Sequence, residues 1–164
     1  KTPSSRIVNL SSLAHQWGEI RFADLHFEGR YDKRLAYGQS KLACLMFAYE
    51  LQRRLKRAGH TTLSVAAHPG VSSTNLFQHL PKIVNLFAPL TALVFQSAEG
   101  GAQPTLYAAL GRDIQGGDYC GPQSMGEMRG DPVKVSSSRR SRDEVVAAKL
   151  WAVSEELTGV RFLG

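Results

Sequence analysis

Two short β-branched runs separated by one long helical stretch constrain this chain more than any other feature. Arg-Ile-Val-Asn-Leu at residues 6–10 stops at Ser11-Ser12, and Leu-Ser-Val-Ala-Ala at residues 63–67 stops at His68-Pro69-Gly70. Such runs, closed by polar residues or by Pro and Gly, predict strands. Between them Leu42, Leu45, Met46, Tyr49 and Leu55 recur at three- and four-residue steps, which predicts a helix with one apolar face, capped by Asp32 and running to about residue 58. Strand, long helix, strand implies parallel neighbours, because parallel strands need a crossover connection.

The pattern continues downstream. Residues 81–95 read as a helix with an internal Pro89, and Ser97 caps another helix, with Glu99 in its first turn, that runs to about Leu110. Residues 116–122, rich in Gly, read as a brief strand. Ser141-Arg-Asp-Glu144 has the spacing of a capping box for a last helix carrying Val145, Ala148, Leu150, Trp151 and Leu157, which stops near Gly159. The expected fold class is α/β: a partial Rossmann-type doubly wound parallel sheet of about three strands with flanking helices, in a single domain over residues 1–164. Three strands are few for such a sheet, and the first is expected to leave an apolar edge unpaired.

Charge and cysteines narrow the function. The formal net charge is +6 over 164 residues. Arg53, Arg54, Lys56 and Arg57 crowd a predicted helix C-terminus, where cations oppose the helix dipole, and Arg139, Arg140 and Arg142 sit in a serine-rich connection. Neither cluster has interleaved aromatic residues, so a solvated surface is expected and nucleic acid is not an expected partner. Cys44 and Cys120 lie in no metal-binding spacing and are too few for a disulfide scaffold, which points to a reducing, cytoplasmic setting. His15, His26, His60, His68 and His79 form no helical i, i+4 pair, so no metal site is expected. The apolar run at 83–95 is broken by Asn85 and Pro89, whereas a spanning helix needs about 20 residues, so membrane contact, if any, is expected to be peripheral. The first residues lack both an initiating Met and a secretory signal, as expected of a fragment.

Tyr37 and Lys41 stand four residues apart on the long helix, hence on one face about a turn apart. An ammonium beside a phenol favours the phenolate, as a proton-exchanging tyrosine requires. Ser12 lies just beyond the first strand, and Pro69-Gly70-Val71, followed by Ser72, Ser73 and Thr74, lies just beyond the second. Parallel α/β sheets place their ligands outside these carboxyl ends. No Gly-x-Ser-x-Gly elbow accompanies the serines, which argues against a serine hydrolase.

These residues together resemble the carboxyl-terminal half of the short-chain dehydrogenase/reductase family. The stretch from Arg6 to His15 resembles the family's catalytic-serine strand, Ala36-Tyr37-Gly-Gln-Ser-Lys41-Leu-Ala43 its Tyr-x-x-x-Lys helix, and His68-Pro69-Gly70 through Thr74 its nicotinamide-side loop. Ile20, Phe22, Asp24-Leu25, Glu28 and Tyr31 make it most similar to the retinol dehydrogenase-like and WW-domain oxidoreductase-like branch. The resemblance implies an NAD(P)-dependent oxidoreductase interconverting a hydrophobic alcohol, retinol-like, and its carbonyl, with NADP or NAD as cofactor. By it, Tyr37 is the proton donor or acceptor, Lys41 its partner and a ribose contact, and Ser12 a donor to the substrate oxygen. Pro69, Gly70 and Val71 approach the nicotinamide carboxamide, and Thr74 the pyrophosphate. Residues 6–76 are then the catalytic segment, 77–96 a substrate lid and 97–164 the terminal helices and strand. The family's glycine-rich phosphate turn precedes the serine strand, so this chain is expected to bind a nicotinamide cofactor weakly or not at all. The alternative is a non-catalytic interaction or dimerisation module derived from the same fold, with a homo-oligomer as its simplest form.

Overall fold

The computed structural model describes residues 5–71 and 96–163. Four strands form one sheet in the order β1 (Arg6–Leu10), β2 (Leu63–Ala67), β3 (Tyr119–Ser124), β4 (Arg129–Lys134). β1 and β2 are parallel in the register Val8 to Val65 and Asn9 to Ala66; β2 and β3 are parallel, and β3 and β4 are antiparallel. The fourth strand corrects the expectation of three, and the third lies at 119–124 rather than 116–122. Pro132, and Gly130 at φ 110°, hide β4 from a pattern search, yet an edge strand tolerates both: Pro132 sits opposite Pro122, beside an irregularity between Pro122 and Ser124.

The crossover between β1 and β2 is α1 (Lys33–Arg57). Asp32 caps it by accepting from the backbone N–H groups of Arg34 and Leu35, and those donors hold its carboxyl below the usual range. Sheet alternation then divides the core. Ala66 and Tyr119 face α1 and meet Leu45, Ala48 and Tyr49. Val65, Ala67 and Cys120 face the other way, onto Ala108 of α2 (Ala98–Leu110), with Val8 and Tyr107 packed alongside. As expected, Ser97 caps α2, its hydroxyl oxygen accepting from Gly100 N–H at 3.1 Å. α3 (Glu144–Thr158) lies across the outside of α1, burying Ala147 and Trp151 against Leu42, Met46, Leu51 and Leu55. Its cap is Asp143, which accepts from Val146 N–H at 3.0 Å; Ser141 instead sits buried in the preceding turn, so the capping box does not form. Val145 and Leu157, read as apolar-face residues, are exposed.

The basic cluster near the end of α1 is largely spent internally. Glu50, nearly buried, pairs with Arg53 at 2.8 Å and Arg54 at 2.7 Å, and the Arg54 guanidinium also lies 4.4 Å from the Trp151 ring centroid. Among the described residues no helix is long and apolar enough to cross a membrane, and no group of three metal-ligating side chains occurs.

Two histidines are built into the core as neutral rings. His15 Nδ1 donates to Ser12 O at 2.7 Å and Nε2 accepts from Ser138 N–H at 3.1 Å. His68 Nδ1 accepts from Gly70 N–H at 3.2 Å, leaving Nε2–H to donate to Glu127 Oε2 at 3.1 Å. Both rings pack on Tyr119, at 5.5 and 5.1 Å between centroids. Burial, and secondarily the His15 ring, pushes His68 down from 6.5 to about 4, so its contact with Glu127 at neutral pH is a hydrogen bond to an anion rather than an ion pair. Between these values the unfolded chain holds the proton and the folded chain does not. The stability contributed by neutral His68 is therefore complete above pH 6.5 and lost as pH falls toward 4, by about 3 kcal/mol. Denaturant unfolding across that window should show this loss in the native chain and a flatter profile in His68→Gln; identical profiles would remove His68 from the account.

Candidate functional site

Parallel strands force α1 to run back against them, so its first turns stand over the carboxyl ends of β1 and β2, where the loops carrying Ser12 and Pro69 emerge. Tyr37 and Lys41 occupy those turns. The Lys41 ammonium lies 5.6 Å from the Tyr37 ring centroid, and Tyr37 is 49% exposed. Among the described residues the Tyr37 hydroxyl has no hydrogen-bond partner and Lys41 no carboxylate, so both polar ends are available to a ligand.

Ser12 is held against this helix by its neighbours. Ser11, buried, donates its hydroxyl to the Lys41 carbonyl at 2.8 Å, joining the end of β1 to the second turn of α1. Ser12 then caps a 3-10 turn (Leu13–Trp17), accepting from Ala14 N–H at 3.2 Å. An oxygen used as an acceptor keeps its own O–H free to donate. At the far end of the turn Gly18 meets Gly38 backbone to backbone: a Cβ on Gly18 would collide with the Gly38 carbonyl, and one on Gly38 with the Trp17 ring. Gln39, buried between Tyr37 and Lys41, ties down the irregular excursion by accepting from Arg21 N–H and donating to Leu25 O, both at 2.9 Å.

The loop after β2 is buttressed by the β3–β4 turn. Gly70 has φ 68°, and a Cβ there would strike the Met128 carbonyl. Val71 N–H donates to that carbonyl at 2.9 Å, Val71 O accepts from Gln96 N–H at 3.2 Å, and the Gln96 amide donates to Pro69 O. Thus Ser12, Tyr37 and Lys41 offer unspent polar groups, whereas the backbone of Val71 is already engaged on both sides. Thr74 and residues 77–95 of the expected lid lie outside the described residues.

Several supports carried no sequence signal: the Ser11 clasp, the Gly18–Gly38 contact, Gln39, Gln96 and the His68–Glu127 bond each join residues distant in the chain or ordinary in type. The two histidines are structural, as strand-end residues commonly are, and Asp24 serves its own loop by accepting from Glu28 N–H at 2.7 Å.

An α/β sheet with a serine loop, a Tyr-x-x-x-Lys helix and a Gly-bearing loop gathered at one end defines a Rossmann-like fold with its ligand-facing groups at the strand termini. No family model matches the chain. Mouse retinol dehydrogenase 12 is 40% identical over 161 residues, covering 96% of this chain and 47% of its own length. Human retinol dehydrogenase 13 is 40% identical over 162 residues, covering 95% of this chain and 46% of its own. A solved structure of an uncharacterised protein from Mycobacterium paratuberculosis, 42% identical, superposes with a TM-score of 0.78 over 97% of this chain and 52% of that one. Homologues at about 40% identity over most of this chain are thus retinol dehydrogenases, of the short-chain dehydrogenase/reductase family, which supports a retinol dehydrogenase-like carboxyl-terminal part of that fold. The chain spans about half the length of the curated relatives it matches.

Gly18→Ala should lose about 1–3 kcal/mol of stability, because the added methyl must separate two backbones packed in contact. Gly59→Ala has a positive φ of 70° but open space around it, and controls for backbone strain alone. Chemical denaturation should rank Gly18→Ala below Gly59→Ala; the reverse order would contradict the close packing of the serine loop on α1.

Proposed function

We propose that this chain is the catalytic part of an NAD(P)-dependent short-chain oxidoreductase that interconverts a hydrophobic, retinol-like alcohol and its carbonyl. The observation that carries the reading is the Lys41 ammonium 5.6 Å from the ring of an exposed Tyr37, beside the serine loop that Ser11 clasps to the same helix. Ser12 donates its free O–H to the substrate oxygen, and Tyr37 passes a proton to that oxygen in reduction or takes one in oxidation. Lys41 supports the charge that Tyr37 gains when it gives its proton up, and offers donors to a ribose. A bound nicotinamide dinucleotide supplies or accepts the hydride. Pro69, Gly70, Val71 and Thr74 are its proposed contacts; at Val71 a carboxamide has to take over bonds now made to Met128 and Gln96. The retinol dehydrogenase names of the relatives support the substrate class, and the two free cysteines support a cytoplasmic setting.

The engaged backbone of Val71 favours a second reading, a non-catalytic interaction module on the same scaffold. Turnover separates the two. With millimolar NADP(H) or NAD(H) and a panel of hydrophobic aldehydes and retinoids, Tyr37→Phe should lower turnover at least about 100-fold while leaving the thermal midpoint in place. Turnover that survives Tyr37→Phe refutes the proton-transfer role. No turnover in the native chain at those concentrations supports the module.

A further inference from the structure

The turn between β3 and β4 holds Met125 at φ 52°, Gly126 at φ 65° and Glu127 at φ 65°, all in the left-handed region. Glycine adopts it freely; methionine and glutamate do not, and they persist there only where surrounding contacts fix them. Glu127 has such a contact. From this backbone its carboxylate reaches His68, with Oε2 at 3.1 Å from Nε2.

The His68 ring has little room to move. It is fully buried, the Tyr119 ring packs on it at 5.1 Å between centroids, and Gly121 of β3 leaves its space open, since a Cβ there would collide with Nε2. What can still vary is the place of one hydrogen, because a neutral imidazole carries N–H on one nitrogen and a lone pair on the other. A carboxylate only accepts, so Glu127 draws that hydrogen to Nε2. Nδ1 then keeps its lone pair and accepts from Gly70 N–H at 3.2 Å. With the hydrogen on Nδ1, two N–H groups would face each other and Gly70 would lose this acceptor.

The same turn holds the next residue of the loop. Met128 O accepts from Val71 N–H at 2.9 Å and lies where a Cβ on Gly70 would stand. Two consecutive N–H groups, Gly70 and Val71, are thus held by two consecutive turn residues, Glu127 through the ring and Met128 directly. We propose that Glu127 is a positioning residue for the Pro69–Val71 loop: it selects the His68 tautomer that can hold Gly70, and so sets the backbone presented to the nicotinamide. It acts through His68 rather than on the cofactor. The role rests on the reading of this loop as a cofactor contact, whereas the relay from Glu127 to Gly70 is a property of the free chain.

Nitrogen NMR of the His68 ring at neutral pH tests the relay. In the native chain Nε2 should carry the hydrogen, Nδ1 should show the shift of an unprotonated nitrogen, and a scalar coupling across the hydrogen bond should join Nδ1 to Gly70 N. Glu127→Ala should give ring shifts averaged between tautomers, and its Gly70 N–H should exchange with solvent at least about tenfold faster. Glu127→Gln, whose amide oxygen still accepts, should keep the native tautomer and the native exchange rate at Gly70. If Glu127→Ala fails to fold, Glu127→Asp, one methylene shorter, should show the same loss. A contribution to stability alone would lower the unfolding midpoint of Glu127→Ala while leaving tautomer and Gly70 exchange untouched; that result overturns the proposal, as does a native ring with its hydrogen on Nδ1. Titration with NADP(H) to millimolar concentration separates the relay from the reading it rests on. Binding that weakens about tenfold in Glu127→Ala and recovers in Glu127→Gln supports both. Equal binding by the native chain and Glu127→Ala overturns the positioning role. No binding by either, with the ring and Gly70 responding as stated, supports the relay and overturns the cofactor reading of the loop.

Discussion

The parallel pairing of β1 with β2 is the constraint from which the rest follows. Two parallel strands joined by one helix require that helix to run antiparallel to them. The end of β1, the start of α1 and the end of β2 then share one end of the sheet. Ser12, Tyr37 and Pro69–Val71 thus lie toward the same end of the sheet although far apart in sequence. The Ser11 hydroxyl, at 2.8 Å from the Lys41 carbonyl, and the Gly18–Gly38 contact convert that neighbourhood into a fixed arrangement.

A division of labour runs through the buried polar groups. Ser11, His15, His68, Gln39 and Glu50 are all buried, and each has its hydrogen bonds or ion pairs made inside the protein. They build the scaffold. Tyr37 and Lys41 are at least partly exposed and leave their polar ends free, as groups that meet a ligand must. The distinction explains why His15, His68 and the arginine cluster around Glu50 contribute no candidate chemistry while one tyrosine and one lysine do.

Much of this was legible in the sequence, for identifiable reasons. The strands at 6–10 and 63–67, the Asp32 cap and the helix to residue 57 were legible because β-branched runs, an N-cap aspartate and apolar residues at helical spacing are local signals. The Tyr37–Lys41 proximity followed from helical geometry alone. β4 escaped because its Gly and Pro read as a turn, and an edge strand is specified by its neighbour more than by its own propensity. The cap of α3 went to Asp143 because Ser141 found partners in Ser137 and Ser138, a competition among side chains that spacing does not reveal. The supports of the serine loop and of Gly70 are contacts between distant segments, which no single stretch encodes.

The central claim is that Ser12, Tyr37, Lys41 and the Pro69–Val71 loop form one ligand site at the carboxyl end of the sheet. Backbone and side-chain NMR shifts, followed while NADP(H) is added to millimolar concentration, test it most directly, since they register weak binding without requiring turnover. The account predicts shifts concentrated at Ser12, Tyr37, Lys41, Gly70 and Val71. Shifts confined to other surfaces, or none at all at those concentrations, would contradict it.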